Sequence, residues 1–438
     1  MTPATPRGTR DWFDRVAPIV LVALACGIAL RLVLPTTFCY LDDEKWTFDH
    51  VQQARDGGAW PALGMPSSRG VKNAPMSVWV FVLLGLAGHT ATPEGLTRAV
   101  AILAIVGHAA ILAIPRWIVD DEEDRTAWTW AFALTMTNPI LVFLERKIWA
   151  QSVLPLFDVV LICAFMLRRT RTGSFVWGLV GALVGQIHMA GFFFAFPLAV
   201  FTKLLGRGIV RWRAWVAGSF VGAIPAISWL VYLVRDRPPP SPSPWWLRFR
   251  LEFYQYFFSD PSALCVAYVI GDDTIAALRY PIVAGHPTFL VGAAFVVLAV
   301  ASLAIAMRAL RRVWLGRSDL KGLLFGDRSD TGILLSSTLI GMGALMTLPS
   351  ISIFRHYMMA LFPLPYVWTA RAALRGPRGE RWLAALFAGG LAVCVGVLSF
   401  VAANDGAQEF GKSWGAQVRD GTSTAEAKRF RSDRVEAH

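Results

Sequence analysis

Apolar runs long enough to cross a lipid bilayer recur between residues 17 and 402, and the gaps between them are short and rich in arginine. Inside a bilayer only helices and closed barrels satisfy every backbone hydrogen bond. No run alternates with the two-residue period of a barrel strand, which leaves helices. The expected fold class is therefore an all-α polytopic membrane protein. A net charge of +12 is, taken alone, the mark of a nucleic-acid partner. Its arginines and lysines, however, cluster between apolar runs, as the positive-inside rule demands, so the basicity is read as topology and no nucleic acid is expected.

Candidate spans cover 17–38, 98–115, 126–144, 152–168, 174–188, 190–205, 213–234, 286–306, 332–349, 355–370 and 382–402. The first has no small-residue cleavage site and is expected to be a retained helix. A further apolar stretch, 76–88, is shorter than the roughly 20 residues a span needs. If it crossed, the Arg168-Arg169-Arg171 cluster would fall outside. If it does not cross, every basic cluster falls inside.

This parity predicts about 11 spans, an inside N-terminus and one long outer loop, 39–97, holding a juxtamembrane helix. A second long outer loop, 235–285, opens Pro-Pro-Pro-Ser-Pro-Ser-Pro and continues from Trp245-Trp246 as an aromatic, charge-dotted segment. That make-up suits an interfacial helix, serving as an aromatic belt or as a lid. The polar tail, 403–438, is expected outside.

The same parity gathers polar residues on one face. They are Asp42-Asp43-Glu44, the Glu145-Arg146-Lys147 turn, His188 and the Arg355-His356-Tyr357 turn. The denser acidic run Asp120–Asp124 falls on the opposite face and reads as a solvated turn. Five scattered cysteines show no metal-type spacing. Cys39 and Cys265 share the outer face and are able to pair, although unpaired thiols are expected.

The order of elements in the first third carries a resemblance. A span ending Leu30-Arg31-Leu32 is followed by Tyr40-Leu-Asp-Asp-Glu-Lys-Trp, then by Lys72-Asn-Ala-Pro75, then by Leu96-Thr-Arg98 at the next span. Glu145-Arg146-Lys147-Ile-Trp149-Ala-Gln-Ser152 comes after the third. This resembles the GT-C glycosyltransferases, membrane enzymes that use polyprenyl-phosphate sugars, in the branch of protein O-mannosyltransferases and aminoarabinose transferases.

The resemblance covers about residues 15–200. It implies a single GT-C-like domain over 1–402 in the inner (plasma) membrane, with its active site facing the periplasm. It implies a polyprenyl-phosphate sugar as donor and a glycan, lipid or protein as acceptor. It places the family's outer-loop acids on Asp42, Asp43 and Glu44, and its phosphate-binding cations on Lys72, Arg98, Arg146 and Lys147. His188, Arg355, His356 and Tyr357 fall where the family has cavity residues. Two departures stand out: three consecutive acids where two are usual, and Asn-Ala-Pro rather than a Pro-Pro step after Lys72.

The residue chemistry points the same way. Transfer of a sugar from a lipid phosphate needs a carboxylate to take or orient the acceptor's proton. It also needs cations to stabilise the charge that develops on the leaving phosphate. Asp43 is expected as base or acceptor anchor. Asp42 and Glu44 would support it or hold a divalent cation through oxygen ligands. No other cofactor follows from the sequence. A transporter or flippase of a lipid-linked or anionic substrate would use the same cations. Transporters, however, place such groups near the midplane of broken helices, often within internal repeats, and the chain has none.

Overall fold

The computed structural model describes residues 7–67, 71–206, 208–236, 251–319, 322, 325–348 and 353–427. The Pro-Ser-Pro run, Trp245 and Trp246 lie outside the described residues, as does the tail beyond 427.

The described chain is mostly helical. Five helices or helical runs are long and apolar enough to cross a membrane: Arg15–Leu32, Pro93–Ile118, Trp212–Asp236, Leu290–Leu315 and Gly379–Ala403. Their outward faces carry large apolar side chains such as Phe220, Val234, Leu303 and Leu310. Such surface is stable against lipid rather than water. Met76–Ala87 is a 12-residue helix, about 18 Å long at 1.5 Å per residue and too short to span.

Several expected spans are broken. The 126–144 segment divides into Glu122–Thr137 and Pro139–Leu144. Pro139 pushes Asn138 out of the helical region, and Asn138 Oδ1 caps the new start by accepting from the N–H groups of Ile140 and Leu141. The 332–349 segment passes through a π-helix at Ser337–Met342. The 355–370 segment starts as a 3₁₀-helix, Arg355–Leu361, and continues as Leu364–Leu374.

Close helix pairs depend on small residues. A Cβ at Gly178 would collide with the Trp215 carbonyl, and one at Gly218 with the Phe175 carbonyl, so helices Arg171–Ile187 and Trp212–Ala223 pack backbone to backbone.

Ion pairs mark the two ends of the bundle. At one end Arg15 pairs with Glu122, Arg371 with Asp124 and Asp327, Arg375 with Glu123, and Arg168 with Asp330. The acidic run is thus not merely solvated: Asp124 is buried, and the run ties several basic clusters together. Helices Arg7–Leu32 and Glu122–Thr137 run side by side away from that end, and at the far end Arg31 meets Glu145. The Asp43 region lies at this second end.

Candidate active site

The chain leaves the first helix through a turn with Leu34 at φ 54°. Arg146, almost fully buried, holds that turn shut. Its Nη2 donates to the carbonyls of Val33 and Leu34 and to Thr37 Oγ1, at 3.2, 2.6 and 2.9 Å. The segment then runs extended beside Ser413, and the tail closes over it. Trp414 N–H donates to the Phe38 carbonyl, Gln417 Nε2 donates to the Tyr40 carbonyl, and the Trp414 ring lies 4.8 Å from Tyr40.

Asp42, Asp43 and Glu44 are not in a loop; they form the first turn of helix Asp42–Arg55. Carboxylates are stabilised there by the unpaired N–H groups and the helix dipole. The three then diverge. Glu44, at the third position, reaches back so that its Oε2 accepts from Leu41 N–H at 3.0 Å. Its Oε1 pairs with Lys147 Nζ at 3.0 Å. Asp43 is half-buried, and its Oδ2 accepts from Trp149 Nε1 at 3.2 Å. Asp42 is exposed.

Trp149 is the joint of the site. Lys147 Nζ sits 3.8 Å above its ring, and His356 lies 4.9 Å from it. His356 Nδ1 is hydrogen-bonded to Tyr268 Oη at 2.7 Å. His188 lies 4.8 Å from the Tyr357 ring and 6.2 Å from His356. Arg355 pairs with buried Asp260, donates to Ser259 Oγ at 3.1 Å and covers the Tyr256 ring at 4.4 Å. Burial pulls the Lys147 pKa down while Cys39 and Glu44 pull it up, and the balance lies above the ordinary lysine range. Burial raises the Tyr268 hydroxyl to about 12, so it stays a donor at neutral pH.

Asp43, Glu44, Lys147, His188, His356 and Tyr357 therefore lie in one connected cluster, and Arg355 precedes His356 with its side chain turned to Asp260. Three other expected residues do not join it through any contact among the described residues. Arg146 turns its Nη2 to the turn behind the site, and its buried Nη1 meets no acceptor among the described residues. Arg98 is exposed and paired with Glu94 one turn away on its own helix. The exposed Lys72 side chain belongs to a segment held elsewhere: Trp229 Nε1 donates to its carbonyl and its N–H donates to Tyr232 Oη.

Cys39 and Cys265 are both free thiols. The divalent-cation expectation for Asp42 and Glu44 does not fit, because both Glu44 oxygens are engaged. No group of three His, Cys, Asp or Glu able to hold a metal ion occurs among the described residues. Trp149, Tyr268 and Asp260 were not anticipated as site residues. For Trp149 the signal was present, since it follows the Glu-Arg-Lys turn directly.

No protein-family model matches the sequence, and no curated protein matches it. Among solved structures, the chain is similar to the archaeal oligosaccharyltransferase AglB of Archaeoglobus fulgidus, in complex with an inhibitory peptide and a dolichol-phosphate. That match has 12% identity and a TM-score of 0.48, over 90% of this chain and 56% of that one. The apo form of the Archaeoglobus enzyme gives 14% and 0.47 over the same shares. ArnT from Cupriavidus metallidurans, bound to undecaprenyl phosphate, matches at 16% identity and a TM-score of 0.44, over 90% of this chain and 79% of that one. The chain thus spans little more than half the length of the oligosaccharyltransferase.

Proposed function

We propose that this chain is a membrane glycosyltransferase. It moves a sugar from a polyprenyl-phosphate donor to an acceptor on the face bearing helix Asp42–Arg55, taken as the periplasmic face, with inversion. The observation that carries this reading is Asp43. Of the three adjacent acids, it is the one fixed by an indole N–H whose ring carries a lysine, while its second oxygen makes no hydrogen bond within the described residues. The ordered motifs of the first third support it.

In this mechanism Asp43 accepts the proton of the incoming hydroxyl or amine as that atom bonds to the sugar's anomeric carbon. The bond from that carbon to the phosphate oxygen breaks, and its electron pair stays on the phosphate. Lys147 and Arg355 stabilise the resulting charge, with Lys72 and Arg98 as cations of the same face. Glu44 keeps Lys147 in place, and Arg146 supports the turn rather than the phosphate.

The test is transfer by the purified full chain from a synthetic polyprenyl-phosphate sugar to candidate acceptors. Asp43→Asn is expected to lower turnover about a hundredfold or more while donor binding persists. Full activity in Asp43→Asn would refute the base assignment. Uptake of the lipid-linked sugar into proteoliposomes without covalent transfer would favour a transporter instead.

A further inference from the structure

His188 and His356 belong to the cluster around Trp149, yet the transfer chemistry gives neither of them a task. Their ring centroids lie 6.2 Å apart. Both side chains are half-buried, and each has one ring nitrogen committed to a partner. The partner fixes where the proton of the ring sits.

His188 closes helix Arg171–Ile187, and the chain turns at once into helix Ala190–Leu205. That turn brings the backbone N–H of Ala190 to 3.3 Å from His188 Nδ1. A backbone N–H only donates, so Nδ1 is the bare nitrogen and the proton is on Nε2. At His356 the partner is Tyr268 Oη, 2.7 Å from Nδ1. Tyr268 keeps its hydroxyl proton at neutral pH, and a neutral imidazole nitrogen is a better acceptor than a phenol oxygen. The O–H therefore donates to Nδ1, and here too the proton is on Nε2.

Both rings are thus uncharged, in the same tautomer, and each has an N–H to spare. Neither Nε2 meets a partner among the described residues. Neither is sealed off either, in contrast to the enclosed, unpartnered Nη1 of Arg146. Aromatic rings surround them. Phe354, 47% exposed, lies flat on His356 at 5.6 Å, Tyr357 touches both histidines, and Trp149 stands 4.9 Å from His356.

Ring faces with a few fixed polar groups make a binding site. Uncharged N–H donors beside such faces match a sugar, which offers hydroxyl oxygens along its edge and C–H bonds on its face. A phosphate is drawn to full charge instead, here to Lys147 over the Trp149 ring. The same indole holds Asp43 through its N–H. Base and phosphate cation therefore flank the ring that His356 adjoins, which is where a sugar in transit between them has to lie.

We propose that His188 and His356 bind the sugar being transferred, each donating its Nε2–H to one hydroxyl oxygen while the sugar lies against the surrounding rings. The pair selects sugars that carry both hydroxyls. This inference rests on the glycosyltransferase reading above.

Calorimetry of the full chain in detergent tests it, with bare decaprenyl phosphate and with decaprenyl phosphate carrying glucose, galactose, mannose or xylose. The wild type is expected to bind at least one sugar carrier about tenfold more tightly than the bare phosphate, the size of two neutral hydrogen bonds. Asparagine places its amide near the position of Nδ1, and glutamine near that of Nε2. His188→Asn and His356→Asn should each lose most of the preference without weakening the bare phosphate, and His188→Gln and His356→Gln should restore most of it. Asn variants that discriminate like the wild type, or that lose the bare phosphate equally, overturn the proposal. If the Asn variants do not fold, the wild type decides with deoxy forms of its preferred carrier. Binding should weaken about fivefold at two hydroxyl positions, and undiminished binding at every position overturns the proposal. Equal affinity for bare and sugar-bearing carriers refutes the histidine sites alone, whereas a wild type that binds no lipid phosphate refutes the transferase reading beneath them.

Discussion

Arg31 Nε and Glu145 Oε2 meet at 2.6 Å with neither side chain exposed to solvent. His108 Nε2 lies 2.9 Å from the other Glu145 oxygen, and Arg31 also donates to the carbonyls of Gly27 and Met136. The group joins the first helix to the turn that carries Arg146 and Lys147. Removing one member leaves a buried charge unpaired, so Glu145→Ala or Arg31→Ala should each cost about 3–5 kcal/mol. Replacing both with apolar residues of similar size, Arg31→Met with Glu145→Leu, should recover most of that loss. Thermal unfolding in detergent compares the three. A double variant as unstable as the two single losses added together would show that the pair itself is not the cause.

Trp149 both donates to Asp43 and supports Lys147, and the two roles separate by substitution. Trp149→Phe keeps a ring beneath Lys147 Nζ but removes the indole N–H. A hydrogen bond to a charged group contributes about 1.5–3 kcal/mol, so turnover should fall at least about tenfold. The melting temperature should hardly change, and donor KM should stay near the wild-type value. Trp149→Ala should lose turnover and stability together. If Trp149→Phe raised only KM, Trp149 would be a binding residue rather than one that positions Asp43.

Helix positions were legible in the sequence because the apolar runs and arginine clusters are local signals. The Asn138-Pro139 break was missed, with 126–144 read as one span, although a proline inside an apolar run signals it. The first-turn helix of Asp42–Arg55 was missed because its acids, read as a loop, are also a helix start with Glu at the third position. Arg146 and Lys147 are adjacent and chemically alike, so sequence could not tell them apart. Folding separates them, since one side chain turns back to the carbonyls of Val33 and Leu34 and the other turns forward to Glu44. The tail held no readable signal, because its role comes from long-range hydrogen bonds to residues 36–40.

Asp260 offers a pH dependence. Burial, opposed by Arg355, raises its carboxyl from 3.8 to about 6. An acid whose folded pKa lies above its unfolded value holds its proton more tightly when folded. Its contribution is therefore greatest below about pH 4 and is lost as pH rises through about 6. Relative to Asp260→Asn, the wild type should lose stability between these pH values, by an amount on the order of 3 kcal/mol. Melting temperatures of the two proteins from pH 4 to pH 7 report it. A constant difference across that range would mean that Asp260 titrates normally. Because Arg355 pairs with the ionised form, turnover that depends on Arg355 should rise over the same interval, and this rise should be absent in Asp260→Asn.

Asp158 lies on helix Leu154–Met166, fully buried, and neither of its oxygens finds a hydrogen-bond partner among the described residues. The side chain contributes nothing visible to packing specificity, and an unsatisfied buried polar group costs about 1–3 kcal/mol. Leucine branches at the same atom, so Asp158→Leu removes both orphan oxygens while keeping the shape. It should therefore stabilise the protein by a similar amount, read as a higher melting temperature in detergent. Ionisable groups retained inside a membrane bundle are usually kept for function. If Asp158→Leu is more stable but transfers sugar more slowly, the carboxyl serves the reaction cycle. If it is less stable, a partner outside the described residues already satisfies Asp158.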